Sequence, residues 1–476
     1  MRFVQQVPRR VRLAAVCALS AWLGCDGPET AADGGPGRDA AVVQLDVHGL
    51  DAAQEDAAVG DVGVGVDAAE ARIDAVVAVL EGVDGAAIDS ALHDVAWREG
   101  WPLAEGGRWL FVTRMDDRPA GVALVGDING WSTTRHVATR SADGVHYWVV
   151  VRDDELDAPA VGSKYKWHVP SDGSYRPPLE ATQYGFDGFG RFGWVRAPLD
   201  VGHLEQFPDF RSAHLEGPRA FRAYLPAGLE PHGAAAARAR TLLLHDGQNV
   251  FHPDAFFGGW RVDETLAARA TDVVAVAVDN APDRMDAYTH TPDTIGGSRV
   301  GGRADDYLAL LVDEALPFFR ARYGIEARGQ SLMISGSSLG GLVTLVAVQR
   351  DLEGVGCGAA LSSTVGWGSI ADGAGGDETI LRRWSGLHAP LYLDSGGNVA
   401  GGCFDGDGDG IEDDADDSDN YCVNRQMVRA LEASGYVLGG TLVHEWAPGA
   451  EHNEAAWAAR FAGALDACSR MGWRAP

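Results

Sequence analysis

A serine flanked at two residues on either side by glycine occurs once in a setting that could activate it: Gly336-Ser337-Ser338-Leu339-Gly340. The apolar run Ser331-Leu332-Met333-Ile334 precedes it, and a helical stretch opening Gly341-Leu342-Val343-Thr344 follows. A strand, a tight turn and a helix in that order hold a serine hydroxyl out on a strained corner. The flanking positions must be small, because a side chain there would meet the neighbouring strand and helix. The same corner aims the backbone N–H of Leu339 at an oxygen that becomes negative during acyl transfer. A serine hydroxyl is a weak nucleophile, so a base must take its proton. With this elbow the base lies late in the chain, after the last strand. His452, in Ala447-Pro448-Gly449-Ala450-Glu451-His452-Asn453-Glu454, is placed on such a loop, whereas His444 lies inside the run Leu442-Val443-His444-Glu445-Trp446 and reads as a sheet residue.

The third partner, a carboxylate that orients the imidazole, belongs between Ser338 and His452. Two residues compete: Asp394 ends the strand Leu391-Tyr392-Leu393, and Asp419 follows an acidic segment. A loop carboxylate reaches a loop histidine more readily than one held in a strand, which favours Asp419. The acidic segment has chemistry of its own. Asp405, Asp407, Asp409, Asp413 and Asp416 stand at relative positions 1, 3, 5, 9 and 12, with Gly410 at 6 and Ile411 at 7. Alternate carboxylates, a sharp turn and a carbonyl at position 7 suit one hard, oxygen-seeking cation, and Ca²⁺ is the expected structural ion. The competing reading is a solvated acidic loop. Between Cys403 and Asn420 there are nine acidic residues and no basic one, whose mutual repulsion a cation would relieve.

The elements that must position these residues change character along the chain. From about residue 203 continuous apolar strands, such as Val273-Val274-Ala275-Val276-Ala277-Val278, alternate with helical stretches, among them Tyr307 to Tyr323 and Asn424 to Ser434. That pattern predicts a mostly parallel sheet covered by helices on both faces. Between about Trp101 and Val195 the period is two, in Trp109-Leu110-Phe111-Val112 and His146-Tyr147-Trp148-Val149, with turn residues between, predicting an immunoglobulin-like β-sandwich. Apolar spacing from Ala68 to Leu80 predicts one short helix at its start.

Two resemblances attach to these segments. Val125-Gly126-Asp127-Ile128-Asn129-Gly130-Trp131, with Tyr165-Lys166-Trp167 and Tyr184-Gly185-Phe186-Asp187, resembles the early-set, glycogen-binding-type domains that precede catalytic domains in carbohydrate enzymes and enterochelin-esterase-like proteins. Trp131 and Trp167 could stack on sugar rings or fill a core. Further on, His245-Asp246-Gly247-Gln248-Asn249, Asp279-Asn280, Arg284, Tyr288-Thr289, the Ser338 elbow and His452-Asn453-Glu454 with Trp457 resemble the esterase family of enterochelin and feruloyl esterases. The resemblance implies an α/β-hydrolase fold, hydrolysis of carboxylic esters through an acyl-enzyme, no organic cofactor, and a second oxyanion N–H from Gly247 or Gln248. Siderophore, feruloyl, acetyl and lipid esters all fit it. An acyltransferase using the same residues, or a silent carbohydrate-binding surface lipoprotein, are the alternatives.

Composition sets the outer limits. The formal charge is −29 over 476 residues, but two stretches, Asp26–Asp94 and Cys403–Asn420, carry most of it, leaving no basic footprint for nucleic acid. Arg2, Arg9, Arg10 and Arg12 precede an apolar run from Leu13 to Gly24, which as a helix would rise only ~18 Å and so reads as an export signal. Leu23-Gly24-Cys25 resembles a bacterial lipobox, implying lipidation of Cys25 and an envelope lipoprotein held to the membrane. The expected organisation is a signal at 1–24, a disordered acidic linker at 25–67, a sandwich at 68–200 and the hydrolase at 201–476. Four further cysteines in an exported chain predict two disulfides among three possible pairings, with Cys403–Cys422 bracketing the insertion and Cys357–Cys468 remaining.

Overall fold

The computed structural model describes residues 71–476 except 270, 372–374, 399–401 and 414–418. The expected signal, Cys25, the acidic linker and Asp416 lie outside the described residues. The described residues start with helices α1 (Ala71–Leu80) and α2 (Gly85–Arg98). The second was not expected, because the sequence reading places a single helix, from Ala68 to Leu80, before the strands. Asp84 caps it, accepting from the N–H groups of Ala86 and Ala87, and Ile88 and Val95 bury one face.

Ten strands follow: β1 (Leu103–Glu105), β2 (Arg108–Arg114), β3 (Ala123–Gly126), β4 (His136–Val137), β5 (Thr139–Arg140), β6 (His146–Arg152), β7 (Lys164–Val169), β8 (Ser174–Arg176), β9 (Gln183–Asp187) and β10 (Gly190–Trp194). They sort into two sheets. One runs β1-β2-β6-β5, and the other includes β9-β10-β7-β3-β4 with β8 on β7. Alternation decides what lies between them. Trp109, Phe111, Tyr147, Val151, Leu124, Tyr165 and Trp167 point into one shared core, while Leu110 and Val112 turn the other way and pack with Ile73, Val76, Leu80 and Val95 of the helices. Trp167 is fully buried and Trp131 is partly exposed, so of the two tryptophans only Trp131 offers a surface ring.

The remaining long strands are β11 (His203–Arg211), β12 (Pro218–Leu225), β13 (Arg240–Leu244), β14 (Val273–Val278), β17 (Leu332–Ser337), β18 (Cys357–Leu361), β19 (Leu391–Ser395) and β20 (Leu442–Trp446); β15 (Pro292–Ile295) and β16 (Ser298–Gly301) make a separate hairpin. They assemble in the order β11-β12-β14-β13-β17-β18-β19-β20. From β14 to β20 neighbours are parallel, whereas β12 runs antiparallel to β14 and β11 antiparallel to β12. The result is a mixed α/β-hydrolase sheet. Every residue of β14 is buried, as its unbroken apolar sequence requires. Strand β11 also pairs with β9 at Leu204–Tyr184 and Glu205–Gln183, so the sheet continues without a break into the N-terminal strands. Helices α3 (Gly247–Val250), α4 (Leu339–Gln349), α5 (Tyr421–Ala433) and α6 (Glu454–Met471) bear on the site. Cys357 bonds to Cys468, joining β18 to α6, and Cys403 bonds to Cys422, joining the insertion to α5.

Candidate active site

The elbow is built as its sequence requires. Strand β17 ends at Ser337, Ser338 takes φ 57° and ψ −122°, and α4 begins at Leu339. A positive φ at a residue with a Cβ costs on the order of 1–3 kcal/mol and persists only where the surroundings enforce it. The Ser338 N–H is held by the Leu361 carbonyl at 2.9 Å, and its carbonyl accepts from Leu342 at 3.1 Å. Gly336 is needed because a Cβ there would stand 2.7 Å from the Gly340 backbone. Gly340 is less crowded, its nearest neighbour being Asp246 Oδ2 at 3.2 Å from an added Cβ, and the tighter requirement falls one residue later, where Gly341 packs against Ser363. Ser338 Oγ is partly exposed and lies 3.4 Å from the Thr364 hydroxyl. Leu339 is the first residue of α4, where an N–H has no partner within its own helix.

His452 and Asp419 meet. Nδ1 of the imidazole bonds to Asp419 Oδ1. Asp419 and Asn420 both adopt positive φ, 42° and 58°, in the turn that starts α5, so the carboxylate is set by a helix start and not by a strand end. Its other oxygen is enclosed by donors: the Gly396 N–H at 2.6 Å, the Ser362 hydroxyl at 2.8 Å and the Arg460 guanidinium at 3.7 Å. Ser362 Oγ in turn accepts from Trp457 Nε1 at 3.1 Å and Arg460 Nη2 at 2.7 Å. The rival carboxylate has a different task. Asp394 is fully buried, its oxygens taken by Arg460 Nε at 3.1 Å, the Tyr392 hydroxyl at 3.1 Å and the Ser362 N–H at 3.2 Å. Burial pushes its carboxyl up to about 6, against the pull of Arg460. His444 stays in β20, its ring against Tyr421, with burial lowering its pKa.

The turn after β13 stands beside the elbow. Asp246 adopts φ 56° and ψ 48° at the start of α3, whose first residues are Gly247 and Gln248. Arg284 grips Asp246 with two bonds of 2.8 Å, and Asn280 Nδ2 adds a third. Arg284 and the Asn280 amide hold the Asp246 carboxyl ionised against full burial, which by itself raises its pKa. Gly247 has no room for a side chain, since a Cβ would lie 2.5 Å from Asp279 Oδ1. Gln248 Oε1 accepts from the Asn280 N–H at 3.1 Å. Beneath the turn, burial depresses His245 to about 4, and its Nδ1 lies 2.8 Å from the Tyr307 hydroxyl.

In the insertion, carboxylate oxygens of Asp405, Asp407 and Asp409 lie within 4.8 Å of one another. Asp405 accepts from the N–H groups of Gly408 and Gly410, and Asp409 from Ile411, whose side chain is buried against Gly376. Burial, then the charges of Asp407 and Asp405, raise the Asp409 pKa. Asp413 is exposed, and Glu412 is engaged by Arg425 and Arg429.

Several residues of the site were not singled out from sequence. Ser362, Thr364 and Arg460 carry no motif; the one signal for Arg460 was an arginine three residues beyond Trp457, on the apolar side of a helix.

The family model described as "Putative esterase" matches residues 212–467, more than half of the chain. No curated protein matches. Among solved structures, an IroE-like serine hydrolase from Shewanella oneidensis is 17% identical, with TM-score 0.39 over 56% of this chain and 78% of that one. The siderophore hydrolase EstA from Aspergillus nidulans is 18% identical, with TM-score 0.41 over 55% of this chain and 93% of that one. The enterobactin esterase FES from Shigella flexneri is 15% identical, with TM-score 0.39 over 76% of this chain and 92% of that one. On the strength of the match over residues 212–467, the chain belongs to the esterase family.

Proposed function

We propose that the protein is a serine esterase that cleaves carboxylic esters through an acyl-enzyme. The observation that carries this reading is the bond between His452 Nδ1 and Asp419 Oδ1, in a chain whose Ser338 is held at positive φ on a strand-to-helix elbow. Ser338 Oγ attacks the ester carbonyl while His452 Nε2 takes its proton; His452 then returns that proton to the departing alkoxide. Water then gives a proton to His452 as it attacks the acyl-serine, and His452 passes that proton to Ser338 Oγ as the acid leaves. Asp419 keeps the imidazole proton on Nδ1, so that Nε2 is free to accept. The N–H groups of Leu339 and of Gly247 or Gln248 receive the oxyanion. Ser338→Ala and His452→Ala should each abolish hydrolysis of p-nitrophenyl esters with the melting temperature preserved. A fluorophosphonate should label the wild type at Ser338. A fully active Ser338→Ala protein would end this reading, and a panel of chain lengths with feruloyl and siderophore esters would rank substrates.

Three further parts of the reading are proposals of the same kind. Asp405, Asp407, Asp409, Asp413, Asp416 and the Ile411 carbonyl would hold Ca²⁺, and the three converging carboxylates suit a hard cation. The ion would neutralise the loop that leads to Asp419. The segment 68–200 is an early-set-like domain of immunoglobulin type, supported by its two packed layers of antiparallel strands. Cys25 is lipidated and ties an exported enzyme to the envelope; among the described residues no helix is long and apolar enough to cross a membrane.

A further inference from the structure

One carboxyl beside the site has no part in the steps above. Glu454 is the first residue of α6 and is 1% exposed. Asn453 between it and His452 is extended, at φ −155° and ψ 169°, which sends the side chains of His452 and Glu454 to the same side. Oε1 of Glu454 accepts from Asn249 Nδ2 at 3.3 Å, and Oε2 is buried with no partner among the described residues. Asn249 lies in α3, the short turn that also contains Gly247 and Gln248. Its carbonyl accepts from Trp260 N–H at 2.9 Å, so Glu454 is the contact that joins its side chain to the histidine loop.

Leaving a carboxyl oxygen buried without a donor costs roughly 1–3 kcal/mol, and an apolar residue would avoid that cost. A helix start tolerates an acidic side chain at this position, but the capping here is done by Asn453, whose Oδ1 accepts from Ala456 N–H at 3.0 Å. Burial pushes Glu454 up to about 7, with Asp246 raising it and Arg284 and His452 opposing.

We propose that Glu454 is a positioning residue for ester hydrolysis: through Asn249 it locks the oxyanion-binding turn to the loop that carries His452. The two loops come from opposite ends of the catalytic region, 205 residues apart in sequence. Neither disulfide joins them; one loop carries the base, and the other carries one of the two proposed oxyanion N–H groups. A turn free to drift by a fraction of an ångström still admits substrate but meets the oxyanion poorly, so the loss falls on kcat and spares KM.

This inference rests on the serine-esterase reading, and the test separates the two. Full-length wild type, Glu454→Ala, Glu454→Gln, Asn249→Ala and the Glu454→Ala/Asn249→Ala double variant are compared on a p-nitrophenyl ester and for the rate of fluorophosphonate labelling. Glu454→Ala and Asn249→Ala should each lower kcat about tenfold to thirtyfold with KM changed less than twofold, and slow labelling in parallel. The double variant should be no worse than either single one. Glu454→Gln keeps an acceptor for Asn249 and should recover most of the rate, which a role in helix stability alone would not produce. Unchanged kcat in Asn249→Ala, or single losses that multiply in the double variant, would overturn the proposal even if Glu454→Ala failed to fold. An active Ser338→Ala protein would instead remove the reading beneath it.

Discussion

Replacing Asp419 by asparagine tests the assignment of the acid through the position of one proton. Oδ2 of Asp419 sits among the Gly396 N–H at 2.6 Å, the Ser362 hydroxyl at 2.8 Å and Arg460 at 3.7 Å. An amide NH₂ cannot take that place, because it would set donor against donor at the Gly396 N–H. The asparagine must therefore put its carbonyl oxygen there and its NH₂ toward His452. Nδ1 then becomes an acceptor, the imidazole proton moves to Nε2, and Nε2 can no longer take the Ser338 proton. The expected fall in kcat is ~10⁴-fold, about 5 kcal/mol of barrier. Asp394→Asn is the matched control: its oxygens meet Arg460, Tyr392 and the Ser362 N–H. Loosening that buried pair should cost roughly 3 kcal/mol of stability while kcat stays within about threefold. Initial rates on a p-nitrophenyl ester, with thermal melts of each variant, give both quantities. A rate within tenfold of wild type for Asp419→Asn, with Asp394→Asn inactive, would refute the assignment.

Three other outcomes follow from the structure. Because Glu454 is raised from 4.5 to about 7, the native state keeps a proton that the unfolded chain releases, so its contribution to stability is present below about pH 4.5 and lost as pH rises to 7; Glu454→Gln should melt higher than wild type at pH 8 and with it at pH 4. Chelation or reduction of the Cys403–Cys422 bond should lower activity before global unfolding, and Asp407→Asn should lose activity only when Ca²⁺ is scarce; indifference to a chelator would make the insertion an appendage. Cys25→Ser should move the protein out of the membrane fraction on fractionation, and unchanged partitioning would count against lipidation.

Sequence reached furthest where local chemistry and long apolar runs coincide. Leu332–Ser337 followed by a glycine turn could only be a strand entering an elbow, and the unbroken β14 run could only lie inside a covered sheet. The two disulfides follow the order of the cysteines around one insertion. What escaped was mostly tertiary. Helix α2, the exception, opens on three small residues and was missed although its signals, the Asp84 cap and apolar Ile88, Leu92 and Val95 at helical spacing, stand in the sequence. Arg460 earns its place by bridging Asp394 and Asp419, which are 25 residues apart in sequence and meet only in space. Glu454 reads as an ordinary first-turn acid until its burial and Asn249 are known.

The continuous sheet bears on how the molecule can be cut. A fragment starting at His203 would keep Ser338, Asp419 and His452, yet it would strip β9 from β11. The freed N–H and C=O groups at Leu204 and Glu205 would become an open edge, and such edges recruit strands from other copies. Glu205, buried and bonded to Gln183 and the Tyr323 hydroxyl, would lose Gln183 in the same cut. A shortened enzyme would then precipitate for reasons unrelated to its chemistry, and a lysine placed outward on the exposed strand would be the remedy to try first.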